Sequence, residues 1–170
     1  MIPHYKDLLK ASSKDEINVT LKKDTKGIGL YATQDITIGD VIAYYQIKVF
    51  NNKKYNSPTD YTYGFAVYKK DGKEYKTLIG DIYEDTFSEP EDGITFWAPF
   101  ANEPSPNQKI NAEIEIDEKG IFKSLERNYL LPGDILIYYL VCKRKIKKGD
   151  EIMWYYGSTY ERNYKVNKKS

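Results

Sequence analysis

The chain has 170 residues, 41% hydrophobic and 30% charged, and its 26 basic and 25 acidic side chains leave a net charge of +1. That composition suits one globular domain with a true core, and it argues against a protein that lives on the nucleic-acid backbone or spans a membrane. A single cysteine, Cys142, and a single histidine, His4, exclude an internal disulfide and a Cys-rich zinc site. No metal site is expected, and a histidine base would have to come from His4, close to a chain end. The basic residues are 23 Lys and 3 Arg, which weakens base reading further. The first seven residues carry no apolar stretch of signal-peptide type, so an intracellular setting, nucleus or cytosol, is expected. Seventeen tyrosines suit strand-rich packing or an aromatic-walled channel, and composition alone does not separate the two.

In chain order, residues 5–14 read as a short helix anchored by Leu8 and Leu9. Ile17 to Leu21 alternates apolar and polar, as a strand with one buried face does. Asp24 to Gly29 reads as a glycine-bearing turn, and Ile36-Thr37-Ile38-Gly39-Asp40 as a second turn before a strand from Val41 to about Phe50. Asn51 to Asp60 is polar and reads as a loop. Tyr61–Tyr68 and Glu74–Ile79 flank an Asp71-Gly72 pair, which predicts a hairpin. Tyr83 to Gly93 reads as an exposed acidic loop, Ile94 to Ala101 as apolar, and Glu103 to Asn107 as a break. Asn111 to Ile116 alternates as a strand, with Glu113, Glu115 and Asp117 on one solvated face. After a turn at Leu130–Asp134, Ile135 to Cys142 is the most apolar run and the expected buried strand. A turn at Lys147–Asp150 then leads to an expected strand over Glu151–Gly157, and a polar tail follows. One pattern occurs twice: Ile36-x-x-Gly39-Asp40-x-Ile42 and Ile146-x-x-Gly149-Asp150-x-Ile152. Two copies are too few for a repeat architecture. They point to a mainly β domain of several small stacked sheets whose halves supply similar turn–strand units.

No phosphate loop, dinucleotide fingerprint, serine-hydrolase elbow or metal-binding His pair is present. Three segments remain: Lys26 to Leu30, Phe100 to Pro104, and Glu151 to Gly157. Each has an ordinary structural explanation by itself, as a glycine turn, a loop asparagine and the end of a strand.

Their order and flanks resemble the SET domain, the protein-lysine methyltransferase fold. Lys26-Gly27-Ile28-Gly29-Leu30-Tyr31-Ala32, followed by Ile36-Thr37-Ile38-Gly39-Asp40-Val41-Ile42, is similar to the family's opening K-G-x-G motif and the turn after it. Trp97 to Asn102 resembles the approach to the family's R-F-x-N-H-S motif. Lys148 to Gly157 resembles G-E-E-L-x-[FY]-D-Y-G. Glu103-Pro104 stands where the family usually has His-Ser, Tyr155 replaces an Asp, and the flanking zinc segments of many chromatin-bound members are absent. The resemblance implies a minimal single SET domain over 1–170, as in small microbial or viral members. It would have an N-terminal part at 16–50, a variable insert at 51–95, a C-terminal part at 96–157, and a tail at 158–170 that closes the site. The implied fold is the mainly β SET-type β-clip with short helices.

The resemblance also implies S-adenosyl-L-methionine as cofactor and a lysine-bearing protein or peptide, such as a histone tail, as substrate. Neither direct nucleic-acid binding nor a membrane is implied, and the oligomeric state is left open. Cofactor contacts fall to Lys26, Gly27, Ile28, Gly29, Phe100, Asn102, Glu103 and Tyr156. Tyr156 is the catalytic residue. Trp154, Tyr155 and Tyr160 would line the lysine channel, with Tyr164 folding back as a further wall. Trp154 stands where the family sets the room around the amine. Two other readings stay open: a SET-like module that binds without turnover, and a Tyr-rich β interaction domain.

Overall fold

The computed structural model describes residues 3–13, 16–51, 63–68, 74–157, 160 and 162–169. Helix α1 (Tyr5–Ala11) starts where the His4 ring accepts the Lys6 N–H, and it buries only Leu8. Strands β1 (Val19–Asp24) and β2 (Gly27–Ala32) pair antiparallel from Val19↔Ala32 to Asp24↔Gly27. The turn between them is shorter than the sequence suggests. Asp24 Oδ1 accepts the Lys26 N–H at 2.8 Å, and Gly27 takes φ +103°. Gly29, expected in the turn, lies inside β2 because ladder pairing overrides its weak strand preference.

Strands β3 (Val41–Asn51), β4 (Tyr63–Tyr68), β5 (Glu74–Asp81), β6 (Ala112–Glu115) and β7 (Ile135–Cys142) form one sheet in the order β4-β5-β3-β7-β6. The protein is therefore mainly β, as its alternation predicts. The chain divides into two compact units, 1–45 with 87–115 and 139–170, and 46–86 with 116–138. In the second unit, β4 and β5 pair antiparallel from Tyr63↔Gly80, with a bulge at Val67/Tyr68. The Asp71-Gly72 turn and most of the 51–60 loop lie outside the described residues. Helix α2 (Glu118–Leu125), which alternation does not reveal, is set by its ends. Asp117 caps it by accepting the Gly120 N–H at 3.0 Å, and Glu126 closes it in the left-handed region at φ 56°. Arg127 grips Asp134 with both terminal nitrogens, and Asp134 also accepts the Leu131 N–H at 2.7 Å. Glu84, Asp85, Glu89, Glu91 and Asp92 are all exposed, as the acidic loop predicts. Among the described residues no helix is long and apolar enough to cross a membrane.

The doubled Ile-x-x-Gly-Asp pattern explains the first unit. Ile36 and Ile146 face each other, exchanging N–H···O bonds of 2.8 and 3.1 Å. The flanking bonds match in pairs. Gly39 N donates to Cys142 O and Gly149 N to Ala32 O, both at 2.8 Å. Cys142 N donates to Asp40 O and Ala32 N to Asp150 O, both at 2.9 Å. Asp40 and Asp150 each accept the first amide of their own turn, Thr37 N–H and Lys147 N–H. Gly39 and Gly149 sit at φ 93° and 90°. The two turns are thus local two-fold mates around a buried isoleucine pair, 3% and 0% exposed.

The symmetry ends after Asp150. Residues 41–51 become a strand, whereas 151–157, expected as one, form only isolated bridges, Tyr31↔Glu151 and Asn102↔Met153. Their amides go to separate partners. Ile152 N–H donates to Leu30 O at 2.8 Å, Met153 N–H to Asn111 Oδ1 at 2.8 Å, and Trp154 N–H to Asn102 O at 3.1 Å. No single neighbouring strand is available to make a ladder.

Because both glycines occupy left-handed backbone, Gly39→Ala and Gly149→Ala should each cost roughly 1–2 kcal/mol. Thermal melting should show falls of similar size, about 2–8 °C each. A fall at one position only would break the equivalence of the two turns.

Candidate functional site

Three segments converge in the first unit: the β1–β2 corner, residues 101–108 after the 3-10 turn Ala98–Phe100, and residues 151–157. Asn102 joins them. Its side-chain amide donates to Ile28 O at 3.2 Å and to Glu151 Oε1 at 3.3 Å, and its carbonyl accepts Trp154 N–H. Gly29 has little room at this junction. A Cβ there would lie 3.1 Å from Asn102 Nδ2, Glu151 Oε1 and Tyr31 Cε2. Lys26 reaches over the same junction, its ammonium donating to Gln108 Oε1 at 2.8 Å and Glu103 O at 3.2 Å and pairing with Glu151 Oε2 at 3.4 Å. Tyr31 donates to Asp24 Oδ2. Burial first, then that bond and the nearby carboxylates, push its hydroxyl up.

Beside the junction lies a cleft of about 440 Å³, lined by Lys26, Asn102, Glu103, Pro104, Ser105, Pro106, Tyr156, Tyr164 and Lys165. Four of the residues expected at the cofactor, Lys26, Asn102, Glu103 and Tyr156, therefore line one cavity. Among the described residues, Gly27, Ile28, Gly29 and Phe100 do not line it. Gly29 lies beside Asn102, which does. Phe100 is buried in the core, stacked on Phe87 at 4.9 Å between centroids.

The aromatics separate by side of the chain. Trp154 and Tyr160 both pack against the Tyr156 ring, with centroids 4.8 and 4.9 Å from its own. Tyr155 turns away toward cations of the tail, Arg162 at 5.3 Å and Lys168 at 5.5 Å. The Tyr156 hydroxyl donates to Ala101 O at 2.7 Å, and its amide to Glu103 Oε2 at 2.9 Å. Tyr164 donates to Glu103 Oε1 at 2.9 Å. Burial first, then that bond, raises its hydroxyl to about 12, so it stays protonated near neutral pH.

Three participants are not among the site residues the motifs imply, although Glu151 opens the third motif. Glu151, 8% exposed, ties Lys26 to Asn102, and Asn111 binds Met153 N–H and donates to Glu151 O at 2.8 Å. Arg162 pairs with Glu103. A signal for Arg162 exists in composition: where a chain otherwise uses Lys, an Arg marks a place that needs a planar fork. Two of the three Arg, Arg127 and Arg162, grip carboxylates with two nitrogens.

The SET domain family model matches residues 27–157. No curated protein sequence matches the chain. Solved structures with a similar trace include the methyltransferase domain of human PR domain-containing protein 2, at 16% identity and TM-score 0.46, covering 88% of this chain and 84% of that one. A SET8 protein of Cryptosporidium shows 20% identity and TM-score 0.48 over 82% of this chain and 57% of that one. A candidate histone methyltransferase of Plasmodium falciparum shows 13% identity and TM-score 0.46 over 85% and 96%.

The crowding at Gly29 generates a test of the junction. Gly29→Ala should leave a cooperative melting transition. If S-adenosylhomocysteine raises the melting temperature of the wild-type chain, the substitution should diminish that rise. An undiminished rise would make Gly29 a strand residue with no part in the cleft.

Proposed function

The chain belongs to the SET domain family, and from that premise we propose that it methylates a lysine side chain of a protein or peptide using S-adenosyl-L-methionine. The residues present suit that cofactor. The cleft volume is in the range of small-ligand sites. Its lining offers a cation in Lys26, an amide in Asn102 and aromatic faces in Tyr156 and Tyr164, a donor set matched to a zwitterion carrying an adenosine. When bound, the cofactor supplies an electrophilic methyl group on a sulfonium.

One observation carries the reading. Tyr156 lines the cleft, and its hydroxyl is fixed by a main-chain carbonyl. Because that proton is given to Ala101 O, the phenol oxygen meets an incoming amine as an acceptor. It holds an amine N–H and so aims the nitrogen lone pair. A free lysine has a pKa of about 10.4 and must first lose a proton. The rings of Trp154, Tyr156 and Tyr160 form a poorly solvating surface that disfavours its charged form. No strong side-chain base is needed, since positioning and desolvation do the work.

Tyr156→Phe removes the hydroxyl and little packing. Transfer of labelled methyl to a protein mixture should fall at least about tenfold with folding intact. Activity within twofold of wild type would remove Tyr156 from the centre.

For the substrate, the exposed carboxylates near position 90 favour a Lys- and Arg-rich peptide of histone-tail type. Neutralising Glu89, Glu91 and Asp92 together should raise the peptide KM at low salt, and the difference should shrink at high salt. An unchanged KM at both would take the loop out of recognition.

A further inference from the structure

The Glu103 carboxylate is 1% exposed, yet it is fully served by donors. Arg162 Nε and the Tyr164 hydroxyl donate to Oε1 at 2.8 and 2.9 Å. Arg162 Nη2 and the Tyr156 amide donate to Oε2 at 3.1 and 2.9 Å. A buried carboxylate is tolerated only when so satisfied, and removing one partner leaves a charge stranded. Arg162 does more than neutralise it. Nη2 also donates to Gly157 O at 2.8 Å, and the guanidinium lies 5.3 Å from the rings of both Tyr155 and Tyr160. Tyr160 in turn meets Tyr156 edge-on. Three routes thus lead from Arg162 to Tyr156: through Glu103 to its amide, through Gly157 to the next residue, and through Tyr160 to its ring. The charge of Arg162 survives in this setting. Burial opposes it, but the bonds and charge of Glu103 outweigh burial and raise the guanidinium further.

We propose that Arg162 is a positioning residue that, paired with Glu103, fixes the main chain and ring of Tyr156 and holds Tyr164 in place as one wall of the cofactor cleft. Arg162 itself does not line the cleft. The pair gives the Glu at position 103, where the family usually has His, a role of its own: it is the receptor for the tail. The inference rests on the methyltransferase reading for its kinetic part and on geometry alone for its structural part.

Arg162→Met keeps the stem and removes the fork. Arg162→Lys keeps the charge but cannot make the paired contact. Three quantities decide, all measured below the melting transition: hydrogen exchange of the Tyr156 amide, affinity for S-adenosylhomocysteine by calorimetry, and kcat with peptide KM. In Arg162→Met the amide should exchange at least about tenfold faster, the affinity should weaken about tenfold and kcat should fall about tenfold, with peptide KM within twofold. Arg162→Lys should fall between it and wild type. It also stands in, at about threefold changes, if the Met variant does not fold. Affinity and kcat within twofold of wild type, with only the melting temperature lowered, would overturn the proposal. If the wild-type chain itself binds no S-adenosylhomocysteine, the methyltransferase reading fails separately. The positioning claim is then decided by amide exchange, which supports it if faster in the variants and refutes it if unchanged.

Discussion

Two hydrogen bonds between Ile36 and Ile146 hold together stretches of chain far apart in sequence, and the first unit is arranged around them. The pair is buried, so its main-chain groups have no water to fall back on. Each isoleucine is followed by the same Gly-Asp turn, and each turn bonds back to the strand residue that precedes the other isoleucine. The glycines permit the left-handed bend, and the aspartates cap it. Hydrophobic burial gives the crossing its strength, and the turns give it register.

Where the two halves stop matching, the site begins. After Asp40 the chain finds neighbours and becomes β3. After Asp150 it finds no single neighbour and passes among β2, Asn102, Asn111 and Glu103, giving one amide to each. That path places Glu151 at the junction with Lys26 and Asn102, packs Trp154 on the Tyr156 ring and brings Tyr156 to the cleft, all from one short segment. The irregularity comes from four partners sharing a segment that a ladder would give to one.

Much of this was legible from the chain because periodic burial leaves a trace. β1, β3 and β7 alternate or run apolar, and the doubled Ile-x-x-Gly-Asp pattern marked two turns before their pairing was known. Helix α2 left no such trace. None of its residues is buried and Gly120 lies within it, so it depends on Asp117 at its start and Glu126 at its end. The site divided the same way. Lys26, Asn102, Glu103 and Tyr156 belong to compact motifs and meet at one cleft. Glu151, Asn111 and Arg162 are polar residues whose meaning lies in partners distant along the chain, which local pattern does not encode. Phe100 sits within a motif, but its ring serves the core. Tyr155 shares a dipeptide with Tyr156, but its ring lies against Arg162 and Lys168 of the tail.

The dispersed bonding of residues 151–156 also bears on how the chain comes together during synthesis. Leu30, Asn102, Glu103 and Asn111 all precede this segment, so a ribosome delivers every acceptor before it delivers the amides they serve. Until then Glu103 is a carboxylate without its amide, guanidinium or phenol partners, and Asn102 and Asn111 lack the main chain they later bind. Closing these contacts brings together residues far apart in sequence, as the Ile36–Ile146 pair also does, at an entropic cost that grows only slowly with loop length. The cleft therefore cannot be completed until residues 151–156 have been made, whatever strands have paired by then.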